Sequence, residues 1–568
     1  MRRLLPIHSS WLSGVSLGML TALLTLPLWS NGYLFGHDSI THLRWAHLFG
    51  EQFWGGELYP RWLTSVNGGQ GSPVFFFYGP LPFWITCMLP PWNEHTLETT
   101  AWKLGLSACL SVFLSGFLFF AWMRRHVGAQ MAVVAATVYV ILPYHVLIDV
   151  HQRFAFAEFW SFTWAPVALL CADRILRGEQ FGFVALAASN ALLLMTHLPS
   201  ALLFGVVPIL YLTTFASPQN RMRALAFGVG GCAAGAAVAA VYILPAMTMQ
   251  QYVDMPNVQW SGMRNLYYNY LFYGPRFAEE NIYNRSEFWK LLTRVVLETS
   301  FTGVVCAALA WCDARRRPLV FWVSTLAFCL FMTHPWSKPV WQVIPLLPAV
   351  QLPWRIMLVQ TLAAAALFAY GLQTVVERPS WLRVSLMVCA VAVPLVQWLP
   401  FVPELGQHIR TKFHPEDIGN YWEVLEYRPV GVSESQWTKF QAGTPTDPRP
   451  PLVTVSAGSG SVNVLSQSPR DILTNVSAQT KVTLVIRQFK FIAWHALLDG
   501  ERDLPIEATA EGLISVNVPD GDHRVRLHLV AMAPEWAGLW ISAMSVVILL
   551  LHTVFGPGSG AAARNDFE

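Results

Sequence analysis

Long apolar runs separated by short clusters of arginine are the feature that most constrains this chain. Of its 568 residues, 54% are hydrophobic and only 12% are charged, whereas soluble globular proteins carry about 25% charged residues. The sequence therefore predicts a polytopic membrane protein. The formal net charge of +3 is small, and the basic residues lie between apolar runs. This charge pattern indicates no nucleic-acid partner.

About twelve apolar runs approach the ~20 residues that a membrane-spanning helix needs. They lie near residues 11–29, 102–122, 129–148, 159–175, 183–195, 198–215, 225–242, 295–311, 319–332, 354–375, 384–399 and 536–554. With both termini cytoplasmic, the arginine clusters fall in the cytoplasmic turns, as the positive-inside rule requires. The run Phe75–Trp92 contains Pro80, Pro82, Pro90 and Pro91, so an interfacial or re-entrant path is predicted for it instead of a span.

The C-terminal part of the sequence predicts a different architecture. From Leu452 onward apolar and polar residues alternate with period two, between Gly, Asp and Pro turns, which is typical of β-strands. We therefore predict a mainly α, polytopic membrane protein of about 12 transmembrane helices, with an extracytoplasmic β-sandwich inserted before the last helix. Since no cysteine follows Cys389, the sandwich is expected to fold alone without disulfides.

Four divisions of the chain follow from this prediction. A transmembrane domain covers residues 1–400, an extracytoplasmic linker covers 401–450, and the β-sandwich covers 451–533. The last transmembrane helix and a cytoplasmic tail cover 534–568. Every long connection then lies on the outer side of the membrane.

An acid, Asp38, follows the first predicted span at the start of a long outer loop. One interpretation is a helix N-cap, because an amphipathic run comes directly after it. The other is a general base, since taking a proton from a sugar or lipid hydroxyl needs a carboxylate within reach. His37 and His42 could tune Asp38, contact substrate or hold a divalent cation. Their spacing matches no specific metal site, so no metal ligand is assigned.

Four ionisable residues, Asp149, His151, Arg153 and Glu158, fall in the second predicted outer loop. A solvated turn with Arg153 paired to Glu158 is one explanation. Ionisable groups at a membrane edge are costly, however, and mark functional sites by default. This favours Asp149 and Glu158 as catalytic acids, with His151 and Arg153 binding substrate. If both loops serve one reaction, Asp38 should lie within about 15 Å of this cluster.

Two further arginines are candidates for binding the phosphate of a lipid carrier. A guanidinium fork matches phosphate oxygens bidentately, and Arg355 in QLPWR enters a predicted helix through a proline. Arg61 in LYPRW is a candidate of the same kind. Either side chain could instead serve only as an interfacial anchor.

Several sequence pieces resemble membrane glycosyltransferases of the C fold type. They are an acid soon after the first helix (GHD), then ELYPRW and FYGPLPFW, an acidic second loop (DVHQRFAFAE), and the outer C-terminal domain. The pieces HDS, GELYPRW, FFFYGPLP, QRFAFAE, THLPSALLF and QLPWR look like the bacterial membrane family labelled "6-pyruvoyl-tetrahydropterin synthase-related". That label implies no pterin chemistry here, because nothing in the sequence resembles a pterin site.

The resemblance implies a multi-pass enzyme of the bacterial cytoplasmic (inner) membrane. It would transfer a sugar from a polyprenyl-phosphate donor to a glycan, lipid or protein acceptor on the outer face. The first-loop acid of the family maps onto Asp38, and a second-loop acid maps onto Asp149 or Glu158. The neutral Gly79-Pro80-Leu81-Pro82 stands where some relatives have a charged Lys-Pro-Pro motif. The resemblance therefore leaves the donor's identity open, and it assigns no certain cofactor.

The residues themselves point in the same direction. No glycine-rich nucleotide loop follows a strand, so a sugar donor would arrive within the membrane. An inverting displacement then needs a base at the acceptor and positive charge at the departing phosphate, the roles of Asp38 and of Arg153 or Arg355. Two other classes compete: a lipid-linked sugar transporter, although no inverted repeat is apparent, and a non-catalytic component of polysaccharide assembly or export.

Overall fold

The fold is mostly helical, with a β-rich region near the C-terminus. The computed structural model describes residues 7–32, 34–255, 269–272, 285–311, 316–412, 414, 424–438 and 451–555. A nine-residue π-helix, Tyr144–Gln152, follows α7. The α-helices α1 to α21 are, in order, Ile7–Leu24, Leu26–Asn31, Ser39–Trp54, Val74–Phe77, Leu81–Cys87, Leu97–Met123, Ala129–Ile141, Phe156–Leu176, Gly182–Thr196, Leu198–Phe204, Val206–Phe215, Arg221–Val238, Ala240–Thr248, Arg285–Ala310, Arg316–Thr333, Lys338–Val343, Met357–Glu377, Trp381–Leu395, Val402–His408, Glu434–Thr438 and Ala533–Phe555.

Seven helices in the described residues are long and apolar enough to cross a membrane. Two bent helix pairs also qualify, Pro218–Val238 with Ala240–Thr248 and Arg316–Thr333 with Pro335–Val343, bent by 79° and 90°. Counting each bent pair as one span gives nine. The chain is therefore a membrane protein. The seven are Leu97–Met123, Ala129–Gln152, Leu198–Phe215, Glu287–Ala310, Pro353–Glu377, Trp381–Trp398 and Ala533–Val554.

Helices lie at each apolar run that the sequence marked as a span. Since at most nine among the described residues are long and apolar enough to count, the number of about 12 spans stays a prediction. Of the other three predicted spans, α1 has 18 residues and α9 has 15. The third, α8, has 21 residues but carries Glu158 and Asp173 near its two ends. The prediction that Phe75–Trp92 forms no single span is confirmed, because α4 and α5 there have four and seven residues.

The helices pack into one large core. α6 packs against α7 and α8, and α8 packs against α9. A second group forms around α14, which packs against α15, α17 and α18. The α17 helix is the most enclosed candidate span, since 83% of its most apolar segment is buried inside the protein. Arg355 lies in the short 3-10 helix Pro353–Ile356, which leads directly into α17.

The C-terminal region forms two antiparallel sheets, as the period-two pattern predicts. One sheet has four strands in the order β1-β4-β8-β7, and the other has five in the order β2-β3-β9-β5-β6. Apolar side chains between them form a common core, which is the arrangement of a β-sandwich. The strands are Val453–Ala457, Gly460–Ser468, Asp471–Ala478, Val482–Phe489, Trp494–Leu498, Arg502–Leu504, Ile506–Ala508, Leu513–Val518 and Gly521–Leu529.

Trp62, from the segment between α3 and α4, completes the core of the β-sandwich. Its side chain is fully buried, and its ring centroid lies 5.6 Å from that of Phe491 and 5.8 Å from that of Trp494. The Trp62 indole Nε1 donates a hydrogen bond of 2.8 Å to Gln488 Oε1. The sandwich is therefore not closed by its own residues, which argues against the independent folding that the sequence led us to expect.

The contribution of Trp62 can be tested with a matched pair of glycines. Gly71 and Gly500 both have φ of +83°, so alanine at either position adopts a left-handed conformation at a cost of about 1–2 kcal/mol. A Cβ on Gly71 would lie 2.5 Å from the Trp62 ring, whereas a Cβ on Gly500 would meet nothing within 4 Å. We expect Gly71→Ala to cost roughly 1–3 kcal/mol more than Gly500→Ala, because it must also displace Trp62.

The measurement is the melting temperature of each full-length variant in detergent. Gly71→Ala should melt clearly below Gly500→Ala. Equal melting temperatures would contradict the role of Trp62 as the residue that fixes the sandwich to the helical part.

Candidate functional site

The second predicted loop begins in the π-helix Tyr144–Gln152. Its hydrogen bonds run from residue i to residue i−5, as in the 2.8 Å bond from Arg153 N to Ile148 O. π-Helical segments are rare and often occur at functional sites. The wider turn changes the directions in which the side chains leave the helix. Here the wider turn presents Tyr144, Asp149 and Arg153 to neighbouring polar groups.

A buried network of two arginines and two acids occupies the centre of the site. Arg153 Nη1 donates to Asp149 Oδ1 at 2.6 Å and to Glu158 Oε2 at 2.9 Å. Arg355 Nε donates to the same Glu158 oxygen at 3.2 Å, and the Tyr144 hydroxyl donates to Glu158 Oε1 at 2.6 Å. Two positive and two negative charges balance, as burial of charged groups requires. We call these four charged residues and Tyr144 the Arg–acid network.

Accessibility differs between the members of this network. The side chains of Asp149, Glu158 and Arg153 are 0%, 2% and 6% exposed, whereas that of Arg355 is 14% exposed. The Trp354 ring lies against Arg153, with 4.5 Å between the guanidinium carbon and the ring centroid. Arg355 is thus the accessible edge of a network whose other charges are enclosed.

The first and second loops meet through their backbones. Asp38 N donates to Arg153 O at 2.9 Å, and His37 N donates to Gln152 O at 3.1 Å. Gly36 permits this approach, because it has φ of +112° and a Cβ there would lie 2.8 Å from the carbonyl carbon of Arg153. The prediction that Asp38 lies close to the second loop is confirmed.

Asp38 occupies the N-cap position of α3, but its side chain makes no capping hydrogen bond. Ser39 Oγ donates to Gly36 O at 2.9 Å, which ties the turn without using the acid. The Asp38 side chain is half-buried. The N-cap interpretation therefore explains the position of Asp38 in the helix and leaves its carboxylate available for chemistry.

His42 is buried one turn into α3 among aromatic rings. Burial lowers the pKa of His42 to about 4, an effect that the nearby Asp38 charge partly opposes, so the ring is neutral at pH 7. His37 is exposed and packs edge-on against Phe288, with 5.1 Å between the ring centroids. The rings around His42 belong to Trp45, Tyr78, Phe83, Phe154 and Phe156.

The structure gives no ready ligand set for the divalent cation that the sequence left open. Among the described residues, no group of three or more His, Cys, Asp or Glu side chains could hold a metal ion.

Two of the expected substrate-binding residues, His151 and Arg61, contact groups outside the Arg–acid network. The Nε2 atom of His151 lies 2.9 Å from Leu24 O, and its ring stacks on Phe35 at 5.2 Å. Arg61 Nε pairs with Glu535 Oε2 at 2.8 Å, at the start of the last helix. The structure therefore does not bring His151 or Arg61 to the Arg–acid network, because local packing orients the first and a distant acid holds the second.

The structure also shows the surroundings of Asp149 and Glu158, the two candidate catalytic acids of the second loop. Both carboxylates are buried and bound to Arg153, and Glu158 also accepts from Arg355. This pairing orients both arginines, while Asp149 Oδ2 is buried without a hydrogen-bond partner in the described residues. Direct action of either acid on substrate stays a prediction.

Sequence reasoning missed three residues of the site. Tyr144 and Trp354 adjoin the charged motifs, and an aromatic residue directly before Arg355 in QLPWR was the available signal for Trp354. The third, His197, is the N-cap residue of α10, and its Nδ1 lies 2.8 Å from Ser200 Oγ. Burial, together with the charge of Arg355, lowers the pKa of His197 to about 3.

Comparison with known proteins finds no matching family model, no matching curated protein and no matching solved structure.

The charge balance of the Arg–acid network yields a rescue experiment. Arg153→Gln should destabilise the protein by about 3–5 kcal/mol, because it leaves Asp149 and Glu158 with one arginine between them. The double variant Arg153→Gln/Asp149→Asn restores one negative to one positive charge, so it should recover at least half of that loss. Melting temperatures in detergent measure both effects. A double variant that melts no higher than Arg153→Gln would contradict the charge-balance explanation.

Proposed function

We propose that this chain transfers a sugar from a polyprenyl-phosphate donor to a glycan, lipid or protein acceptor. The reaction takes place on the outer face of the bacterial cytoplasmic (inner) membrane, with both chain termini cytoplasmic. One observation carries the proposal: Asp38, whose carboxylate makes no capping bond, adjoins a charge-balanced network with Arg355 at its accessible edge. A candidate base and a candidate phosphate-binding cation thus border the same network, Asp38 through the Arg153 backbone and Arg355 through Glu158, which is consistent with the resemblance to C-fold glycosyltransferases.

The chemistry assigned to these two groups is a single displacement. Asp38 takes the proton of the acceptor hydroxyl while that oxygen attacks the anomeric carbon. The bond from the anomeric carbon to the phosphate oxygen breaks, and the lipid phosphate leaves with the electron pair. The Arg355 guanidinium stabilises the charge that develops on the leaving phosphate. One in-line displacement inverts the configuration at the anomeric carbon.

The remaining network residues prepare Arg355 for this role. Glu158 accepts from Arg355 through Oε2 and from Tyr144 through Oε1, so its carboxylate is fixed at both oxygens. Arg355 Nη1 donates to Val350 O at 2.8 Å, which restrains the guanidinium plane. Such preorganised charge is effective because the protein need not reorganise as the reaction proceeds.

Transport of a lipid-linked sugar is the second candidate function. Two apolar helix pairs with bend angles of 79° and 90° favour this function. Broken helices of this kind are common in transporters. The two functions differ in one product: transfer releases free polyprenyl phosphate, and transport releases none. A non-catalytic assembly component would bind the donor without releasing polyprenyl phosphate and without moving sugar across the membrane.

Replacement of Asp38 by asparagine tests the proposal. Asn keeps the size of the side chain while removing its basicity, so Asp38→Asn should fold normally and lose roughly 10²- to 10⁴-fold in turnover. The assay follows sugar transfer from a polyprenyl-phosphate donor by the purified protein. Glu51→Gln is the matched control, because Glu51 lies on the same helix with a side chain that is 48% exposed.

Glu51→Gln should retain wild-type turnover. Wild-type turnover by Asp38→Asn would remove Asp38 from the mechanism. If the wild-type protein releases no polyprenyl phosphate but moves the sugar across a vesicle membrane, this result would favour transport.

A further inference from the structure

Apart from the Arg–acid network, a pocket lies where three parts of the chain meet. These are the segment after α3, the turn between β2 and β3, and the start of α21. Its volume is about 490 Å³, within the range typical of pockets for small ligands. The residues that define its character are Glu57, Tyr59, Arg61, Arg470, Glu535 and Trp536. We call it the interdomain pocket.

Arg61 is the enclosed cation of this pocket. Its side chain is 5% exposed, and it pairs through Nε with Glu535 at 2.8 Å. Its Nη2 donates to Val241 O at 2.8 Å, and its Nη1 has no hydrogen-bond partner in the described residues. A buried donor left without a partner costs about 1–3 kcal/mol, so an acceptor supplied by a ligand would stabilise it.

Arg470, from the turn between β2 and β3, is the second arginine that lines the pocket. Its Nε lies 3.7 Å from Glu57 Oε1, which is an ion-pair distance and too long for a hydrogen bond. Within the part of the chain that the structure describes, Arg470 Nη2 and Glu57 Oε1 are both buried without a hydrogen-bond partner. Two arginines from different parts of the chain thus line one pocket, and each has a buried donor without a partner in the described residues.

The apolar side of the pocket is formed by the start of α21, which is a candidate membrane-spanning helix. Trp536 and Leu539 line it, and their side chains are 53% and 45% exposed. The next tryptophan along α21, Trp540, is 64% exposed. Exposed tryptophans at the end of a membrane-spanning helix are typical of the interface between lipid headgroups and acyl chains.

We propose that the interdomain pocket binds the phosphate-bearing headgroup of a membrane lipid, with Arg61 and Arg470 contacting the phosphate and Trp536 packing against the acyl chains. Guanidinium groups match phosphate oxygens in geometry and charge, and the unused donors on both arginines supply the contacts. The site is separate from the Arg–acid network, and its occupation does not depend on sugar transfer.

Glu57 makes this binding sensitive to pH. Burial raises the pKa of Glu57 to about 7, against the opposing effects of Arg470 and a hydrogen bond from Gln52. The other groups that face Glu57 are Glu535, which favours the raised value, and Arg61, which opposes it. Above this pKa the Glu57 carboxylate repels a phosphate, and below it the repulsion is gone. Lipid affinity should therefore fall as the pH rises through about 7.

Short-chain phosphatidylglycerol is a suitable probe, because its phosphodiester stays anionic over this pH range. The full-length protein in detergent should bind it, and should bind diacylglycerol and inorganic phosphate at least ten-fold more weakly. Equal binding of diacylglycerol would overturn the phosphate contact. Equal binding of inorganic phosphate would show an anion site and overturn the lipid assignment.

Arg470→Gln is the first variant, because its side chain is 34% exposed and its loss leaves the fold intact. It should weaken phosphatidylglycerol binding at least ten-fold, whereas the control Arg526→Gln, on the exposed face of β9, should leave binding unchanged. Arg61→Gln alone would strand the buried Glu535, so the second variant is Arg61→Gln/Glu535→Gln. Wild-type affinity in both Arg470→Gln and this double variant would overturn the proposal.

The pH dependence gives an independent readout. Wild-type affinity should be several-fold weaker at about pH 8 than at about pH 6, and Glu57→Gln should bind equally well at both. A wild-type affinity that rises with pH would contradict the assigned role of Glu57.

Discussion

Burial of Arg153 is the constraint on which the rest of the site depends. A guanidinium enclosed in a membrane protein must be neutralised and hydrogen-bonded, and here Asp149 and Glu158 meet both needs. That requirement explains the wide π-helical turn that presents Asp149, and the proximity of Arg355, which balances the second acid. The backbone of the same arginine accepts from Asp38 N, so the network also fixes the first loop.

The first loop links this network to the β-sandwich. Its N-terminal end holds Asp38 beside Arg153, while further along Trp62 enters the sandwich core. Between them, Glu57 and Arg61 line the interdomain pocket. A ligand in that pocket would therefore contact a segment whose two ends are held by the candidate active site and by the sandwich. Sugar chemistry at Asp38 and lipid binding at Arg61 remain separate proposals, since each rests on different contacts.

The parts of this architecture that follow from local pattern were predictable. Apolar runs located the helices, period-two alternation located the strands, and the order of the loops placed Asp38 near Arg153. The partners of individual side chains could not be predicted, because spacing along the chain does not reveal contacts between distant segments. Trp62 binds Gln488 across 426 positions, and Arg61 pairs with Glu535 at the last helix. The sequence suggested that Arg153 pairs with Glu158, but in a solvated turn and not with both acids buried.

Arg355 is proposed to hold the phosphate of the donor, while Asp38 deprotonates the acceptor that attacks the anomeric carbon of the same donor. The most direct measurement is an experimental structure of the full-length protein with a non-cleavable polyprenyl-phosphonate sugar. We predict phosphonate oxygens within hydrogen-bond distance of the Arg355 guanidinium, with the anomeric carbon facing the Asp38 carboxylate and room for an acceptor hydroxyl between them. A phosphonate bound away from Arg355, for example between Arg61 and Arg470, with its sugar distant from Asp38, would contradict the claim.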